Sequence, residues 1–122
     1  MQQSVLDSKT IDQYRVGRPQ LWARLVKTYL THTPKTIADI VAVRDASQVP
    51  ALRMATHSLK SSSANVGALR LADIARHVEA LAQPATFDQA IQSVEALLAE
   101  FKAVELALQA EAEAITEQTK TA

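Results

Sequence analysis

The chain has 122 residues, with thirteen Lys and Arg against thirteen Asp and Glu, so its formal charge is zero and bulk charge argues for neither a nucleic-acid nor a membrane surface. Hydrophobic residues make up 48% of it and aromatic ones only 4%, which predicts one domain with one core packed from small aliphatic side chains, best suited to Ala-rich helices. Cysteine is absent, which removes disulfides and thiolate metal sites, and no apolar run is long enough to span a bilayer. The polar start Met1-Gln2-Gln3-Ser4 has neither the basic nor the apolar part of a signal peptide, so an unexported, cytoplasmic chain is expected.

Two glycines and four prolines, at Gly17, Pro19, Pro34, Pro50, Gly67 and Pro84, punctuate the helical patterns. A short helix over about Ser8 to Arg15 follows Asp7 as cap, with Ile11 and Tyr14 as its apolar edge. A second helix opens at Pro19, where a missing N–H costs nothing, and carries Leu21, Leu25, Val26, Tyr29 and Leu30 along one side, widened by Trp22. Thr33-Pro34 reads as a cap and first-turn pair that starts a third helix bearing Ile37, Ile40, Val41 and Arg44, the last with a packed stem and a wet head. After the turn Asp45-Ala46-Ser47, Ser47 is the expected cap of a helix that ends near Val66. Gly67 suits either a positive φ or a close approach of two helices.

Leu71, Ile74, Ala75, Val78, Leu81 and Ala82 line the next helix, which stops at Gln83-Pro84. Thr86 is the expected cap of a long last helix, with a stripe from Phe87 and Ala90 through Leu97, Phe101 and Val104 to Leu108. Long amphipathic helices with short joints can hide their stripes only against one another. An all-α antiparallel four-helix bundle with a short accessory N-terminal helix is therefore expected, a single domain over 1–122 with its core at about 5–108. Residues 109–122, acidic through Glu111, Glu113 and Glu117, are expected to fray or project.

The segment from Leu52 to Gly67 is the most informative. At 100° per residue, Leu52, Ala55, Leu59, Ser63 and Val66 share one buried sector, and His57 falls well outside it. On the same face as His57 are Arg53, Lys60, Ser61 and Ala64, and no Asp or Glu lies between Arg53 and Ser61. An exposed, uncrowded imidazole among cations suits a group that another protein visits and leaves negatively charged, which makes phosphorylation of His57 the candidate chemistry. Lys60, one turn away, can reach a phosphoryl oxygen, and Arg53 one turn the other way is a second cation. Ser61 and Ala64 keep the rim flat, and Leu69, off the buried stripe of its helix, is a candidate docking contact.

At these residues the chain resembles the histidine-containing phosphotransfer (HPt) domains of bacterial phosphorelays. Their pattern is a His, then Leu two on, Lys three on, a small residue, usually Gly, four on, and a Gly ten on; here these are His57, Leu59, Lys60, Ser61 and Gly67. The layout from Val5 and Leu6 through Leu108 is similar as well. Ser61 stands where Gly is commonest, and its Cβ narrows the approach to His57. The resemblance implies a phosphocarrier without kinase activity of its own, which takes a phosphoryl group from the aspartate of one receiver domain and gives it to another. It also implies that the receiver brings the Mg²⁺ and that this chain needs no cofactor. The implied partners are response-regulator receiver domains, with a hybrid sensor histidine kinase as a further candidate, and the expected state is a monomer.

Nothing resembles a Gly-rich phosphate loop or nucleotide motif, and His32 and His77 read as structural or incidental, so a metal site is not expected. A structural helical adaptor and the dimerisation domain of a histidine kinase are the alternatives, although the latter usually has an acidic residue where Ser58 stands. A hydrolase base would need an orienting carboxylate and a cleft near His57, which the neighbouring sequence does not supply.

Overall fold

The computed structural model describes residues 4–121, with side chains to residue 117. The described residues form helices and connecting turns only: α1 (Ser8–Gly17), α2 (Pro19–Val41), α3 (Val49–Asn65), α4 (Leu69–Leu81) and α5 (Phe87–Thr121), with one-turn 3-10 segments at Ala46–Gln48 and Pro84–Thr86. The contacts close a ring, since α2 packs on α3, α3 on α4, α4 on α5 and α5 back on α2, while α1 lies against α2. Inside the ring sit Trp22, Val26, Tyr29, Ile40, Leu52, Leu59, Leu71, Val78, Leu97, Phe101, Val104 and Leu108, all buried. At roughly 1.5 to 3 kcal/mol for each large apolar side chain removed from water, this cluster is the main stabilising term.

α2 departs from expectation. Thr33-Pro34 does not open a new helix; one helix runs through Pro34 to Val41. A proline in a helix interior costs about 3 kcal/mol, but Trp22, Val26, Tyr29 and Thr33 before or at that point and Ile40 beyond it are all buried on the same core. Breaking the helix would pull one half of that stripe out of register. Thr33 is itself buried, so it is not a water-facing cap, and Pro34 points its ring to the exposed side. Arg44 lies past the helix end, where its guanidinium donates to the carbonyls of Val41 and Val43.

The joints before α3 and α5 also differ in detail. Asp45, not Ser47, is the capping residue: its carboxylate accepts from the Ser47 N–H at 2.9 Å and from the Ser47 hydroxyl, and Gln48 returns the favour to the Asp45 N–H at 3.2 Å. α3 then starts at Val49, with Pro50 in its first turn. Thr86 does not cap α5 by its side chain; its hydroxyl donates back to the Leu81 carbonyl at 2.7 Å and closes the α4 end.

The acidic tail is helical rather than frayed, because α5 continues to Thr121 and Ala112 and Ile115 pack against the core. Glu111 explains why this stretch is held. Its carboxylate accepts from the Trp22 indole N–H at 3.2 Å and pairs with the Arg15 guanidinium, and Trp22 stacks on Tyr14 with ring centroids 5.6 Å apart. Three elements, α1, α2 and α5, thus meet at one carboxylate. Among the described residues, no helix is long and apolar enough to cross a membrane.

Candidate functional site

α3 and α4 form a hairpin that turns at Gly67. The Gly67 φ is +78°, and a Cβ there would lie 3.3 Å from the Thr10 Cβ, so both reasons for a glycine apply at this one position. Leu52, Ala55, Thr56, Leu59, Ser63 and Val66 of the hairpin's first arm face the core. The buried hydroxyls are satisfied: Thr56 donates to the Leu52 carbonyl at 2.9 Å, and Ser63 and Tyr29 share a hydrogen bond of 3.0 Å. With that face fixed, His57 is turned to solvent near the middle of α3, its side chain 63% exposed.

His57 is not alone. Glu79, from the other arm of the hairpin, places one carboxylate oxygen 2.8 Å from His57 Nδ1 and the other 2.8 Å from Lys60 Nζ. The hydrogen bond from Lys60, above all, holds the Glu79 carboxyl below the usual carboxylate range; partial burial opposes this and the His57 bond adds to it. The stretch between Arg53 and Ser61 lacks an acid, but the fold brings one from 22 residues away, which overturns the expectation that no orienting carboxylate is near. Among the described residues, none bonds to His57 Nε2.

The other candidate residues divide. Arg53 does not reach toward the imidazole; its guanidinium donates to the Ala82 carbonyl at 2.7 Å and closes the C-terminal end of α4. Ser61 and Ala64 are exposed beside His57, and Leu69 is half-buried at the first residue of α4. Met54, 71% exposed, was not singled out by the sequence. It lies one turn before His57 on the helix flank shared with Ser61, about 60° round from the imidazole, whereas Arg53 and Lys60 lie on the α4 flank. The surface around His57 is therefore asymmetric, charged and bridged toward α4, small and apolar on the other side. His32 and His77 are exposed.

The signal that points to Glu79 is hairpin symmetry. His57 lies ten residues before Gly67 and Glu79 twelve after it, and two antiparallel helices rising about 1.5 Å per residue bring such positions to the same height. Among the described residues, no group of three or more His, Asp or Glu side chains comes together as a metal site.

A ring of helices with an exposed imidazole on α3, a lysine one turn on and a glycine at the following joint is the arrangement expected of a histidine phosphotransfer domain. The comparisons place the chain there. The profile of the Hpt domain family matches residues 24–118, and the chain belongs to that family, whose role is phosphotransfer in phosphorelays as a carrier rather than a kinase. Its fold is similar to the crystal structure of histidine-containing phosphotransfer protein B (HptB) from Pseudomonas aeruginosa PAO1, with a TM-score of 0.82 and 23% sequence identity, over 92% of this chain and 97% of that one. Among curated proteins, no sequence matches the chain significantly.

Proposed function

We propose that His57 is the phosphoryl acceptor of this Hpt chain, and that it takes the group from the aspartate of one response-regulator receiver domain and passes it to another. The observation that carries the reading is the exposed His57 ring, bonded through Nδ1 and open at Nε2, on a face of small residues. In the forward step the Nε2 lone pair attacks the phosphorus of an aspartyl phosphate. An N–P bond forms, the P–O bond breaks, and the aspartate leaves with the electron pair. In the onward step a carboxylate oxygen of the second receiver takes the phosphorus, and the N–P pair returns to Nε2.

Lys60 is the residue of this chain that meets the phosphoryl charge. An ammonium has three donors, so with one on Glu79 two remain for phosphoryl oxygens. Arg53, tethered to Ala82, adds only its field. Ser61 and Ala64 let a receiver approach closely, and Met54 and Leu69 offer it apolar contact. The ring of α2, α3, α4 and α5 is read as an antiparallel four-helix bundle with α1 as accessory, acting as a cytoplasmic monomer. The chain brings no cofactor of its own; the receiver supplies Mg²⁺, which neutralises charge on the transferring group. A hybrid sensor kinase is a candidate upstream partner.

The test is direct. A phosphorylated receiver with Mg²⁺ is expected to label the protein on an acid-labile, alkali-stable site, while ATP alone does not. Full labelling of His57→Gln would refute the site, and a chain inert to a panel of phosphorylated receivers would favour a structural adaptor.

A further inference from the structure

Between α2 and the last turns of α5 runs a furrow of about 380 Å³. Its lining is apolar, with Val26 and Leu30 from α2 and Ala112 and Ile115 from α5, while Lys27 and Thr31 stand exposed on the α2 rim. The α5 side explains the gap. The buried row Val104, Leu108 continues at the same i+4 spacing as Ala112, and this smaller side chain does not fill the space against α2. None of the lining residues belongs to α3 or α4, which carry His57, Lys60 and Glu79.

The charges around the furrow are one-sided. Among the described residues, no Asp or Glu lines it. Glu111, next to Ala112, is taken by the Trp22 indole and by Arg15, and Glu113 and Glu117 lie about 100° and 140° round α5 from Ala112. Among the described residues nothing bonds to the Lys27 ammonium, and the same holds for the exposed Arg24 one turn before it. An apolar furrow under an unmatched cation complements a ligand that has an alkyl chain and one negative charge.

We propose that this furrow binds a medium-chain fatty carboxylate, with the chain laid along Val26, Leu30, Ala112 and Ile115 and the carboxylate on Lys27 Nζ. A methylene takes about the share of a water molecule, roughly 30 Å³, so the furrow holds about twelve heavy atoms, as many as decanoate has. A helix of a partner protein, about 10 to 12 Å across with its side chains, is too wide to enter it. A methylene fully removed from water tightens binding about fourfold. Because the furrow is open along one side, about twofold per carbon is expected. The exposed ammonium adds a preference for the anion of about threefold, the scale of a surface ion pair.

Titration of the nitrogen-15-labelled chain with hexanoate, octanoate and decanoate below their micelle concentrations, and with decanol, tests this by amide NMR in wild type, Lys27→Gln and Ala112→Phe. Saturable shifts are expected at the lining residues, with decanoate about sixteenfold tighter than hexanoate and about threefold tighter than decanol. Lys27→Gln is expected to bring decanoate down to the level of decanol, and Ala112→Phe to fill the furrow and abolish binding. The amide spectrum reports whether Ala112→Phe is folded, and Lys27→Gln, at an exposed position, decides the matter where it is not. Shifts that do not saturate, equal binding of hexanoate and decanoate, or wild-type affinity for decanoate in Lys27→Gln would overturn the proposal. Shifts at the same residues on raising the protein concentration without ligand would give the furrow to a second copy of the chain, and overturn it likewise.

Discussion

The Asp7 backbone N–H donates to the Gly67 carbonyl at 2.7 Å, which fastens the start of α1 to the joint that ends the helix of His57. The same Asp7 caps α1 through its side chain, accepting from the Thr10 N–H at 3.1 Å and the Thr10 hydroxyl at 2.7 Å. Gly67→Ala attacks both sides of this contact. It forces a non-glycine residue to a φ of +78° and sets a Cβ 3.3 Å from Thr10. A left-handed backbone costs about 1 to 2 kcal/mol outside glycine, so urea denaturation is expected to show at least that loss. The folded fraction should still be labelled at His57, since Gly67 touches none of the reacting groups.

Lys60→Ala is expected to slow phosphotransfer roughly tenfold while melting hardly changes. The half-buried pair with Glu79 contributes at most about 1 kcal/mol to stability. A charge-assisted contact to a phosphoryl group is worth about 1.5 to 3 kcal/mol when fully made, and the lower end applies because Glu79 shares the ammonium. Single-turnover transfer from a phosphorylated receiver measures it. A variant with wild-type kinetics would remove Lys60 from the phosphoryl site.

Much of this was legible in the sequence, and the remainder has identifiable physical causes. The stripes Leu52, Ala55, Leu59, Ser63, Val66 and Leu71, Ala75, Val78 are buried as 100° periodicity requires, because burial on one face is what a helix packed in a ring demands. Asp7 caps α1 and Gly67 takes a positive φ for local reasons that a sequence displays. Pro34 misled because its local penalty is outweighed by packing on both sides of it. The tail misled because Glu111 looks like a solvated charge until Arg15 and Trp22 arrive from residues far away in sequence. Glu79 escapes a local reading for the same reason: its two partners lie across a helix pair, and it is the spacing about the Gly67 hairpin that brings them together.

Tyr29 supplies a pH test of the core. Burial, chiefly, pushes its hydroxyl up to about 12; the Glu105 carboxylate adds to this and the Ser63 hydrogen bond opposes it. In the unfolded chain the same group titrates near 10. Its contribution is therefore fully present below pH 10 and lost as the pH rises through 12, a span worth roughly 2 to 3 kcal/mol. Tyr29→Phe should lose about 1 kcal/mol at neutral pH, where the buried Ser63 hydroxyl loses its partner. The variant should also decline less than wild type between pH 10 and 12. Equal alkaline slopes in denaturation at fixed pH would show that Tyr29 ionises freely.

Ser61 tests where a receiver lands. It is exposed one turn after His57, on the flank it shares with Met54 and away from the Lys60–Glu79 bridge. Ser61→Gly should leave transfer intact or faster, at a stability loss of about 0.5 to 1 kcal/mol for glycine inside a helix. Ser61→Leu should cost little stability, since leucine is the better helix former and the position faces water. Its added bulk stands on the open side of the ring, so it should raise the receiver concentration needed for half-maximal transfer more than it lowers the saturated rate. If the leucine variant exchanges phosphate as wild type does at every receiver concentration, the approach is not over Ser61. Met54 and Ala64 would then lose their assigned contacts with it.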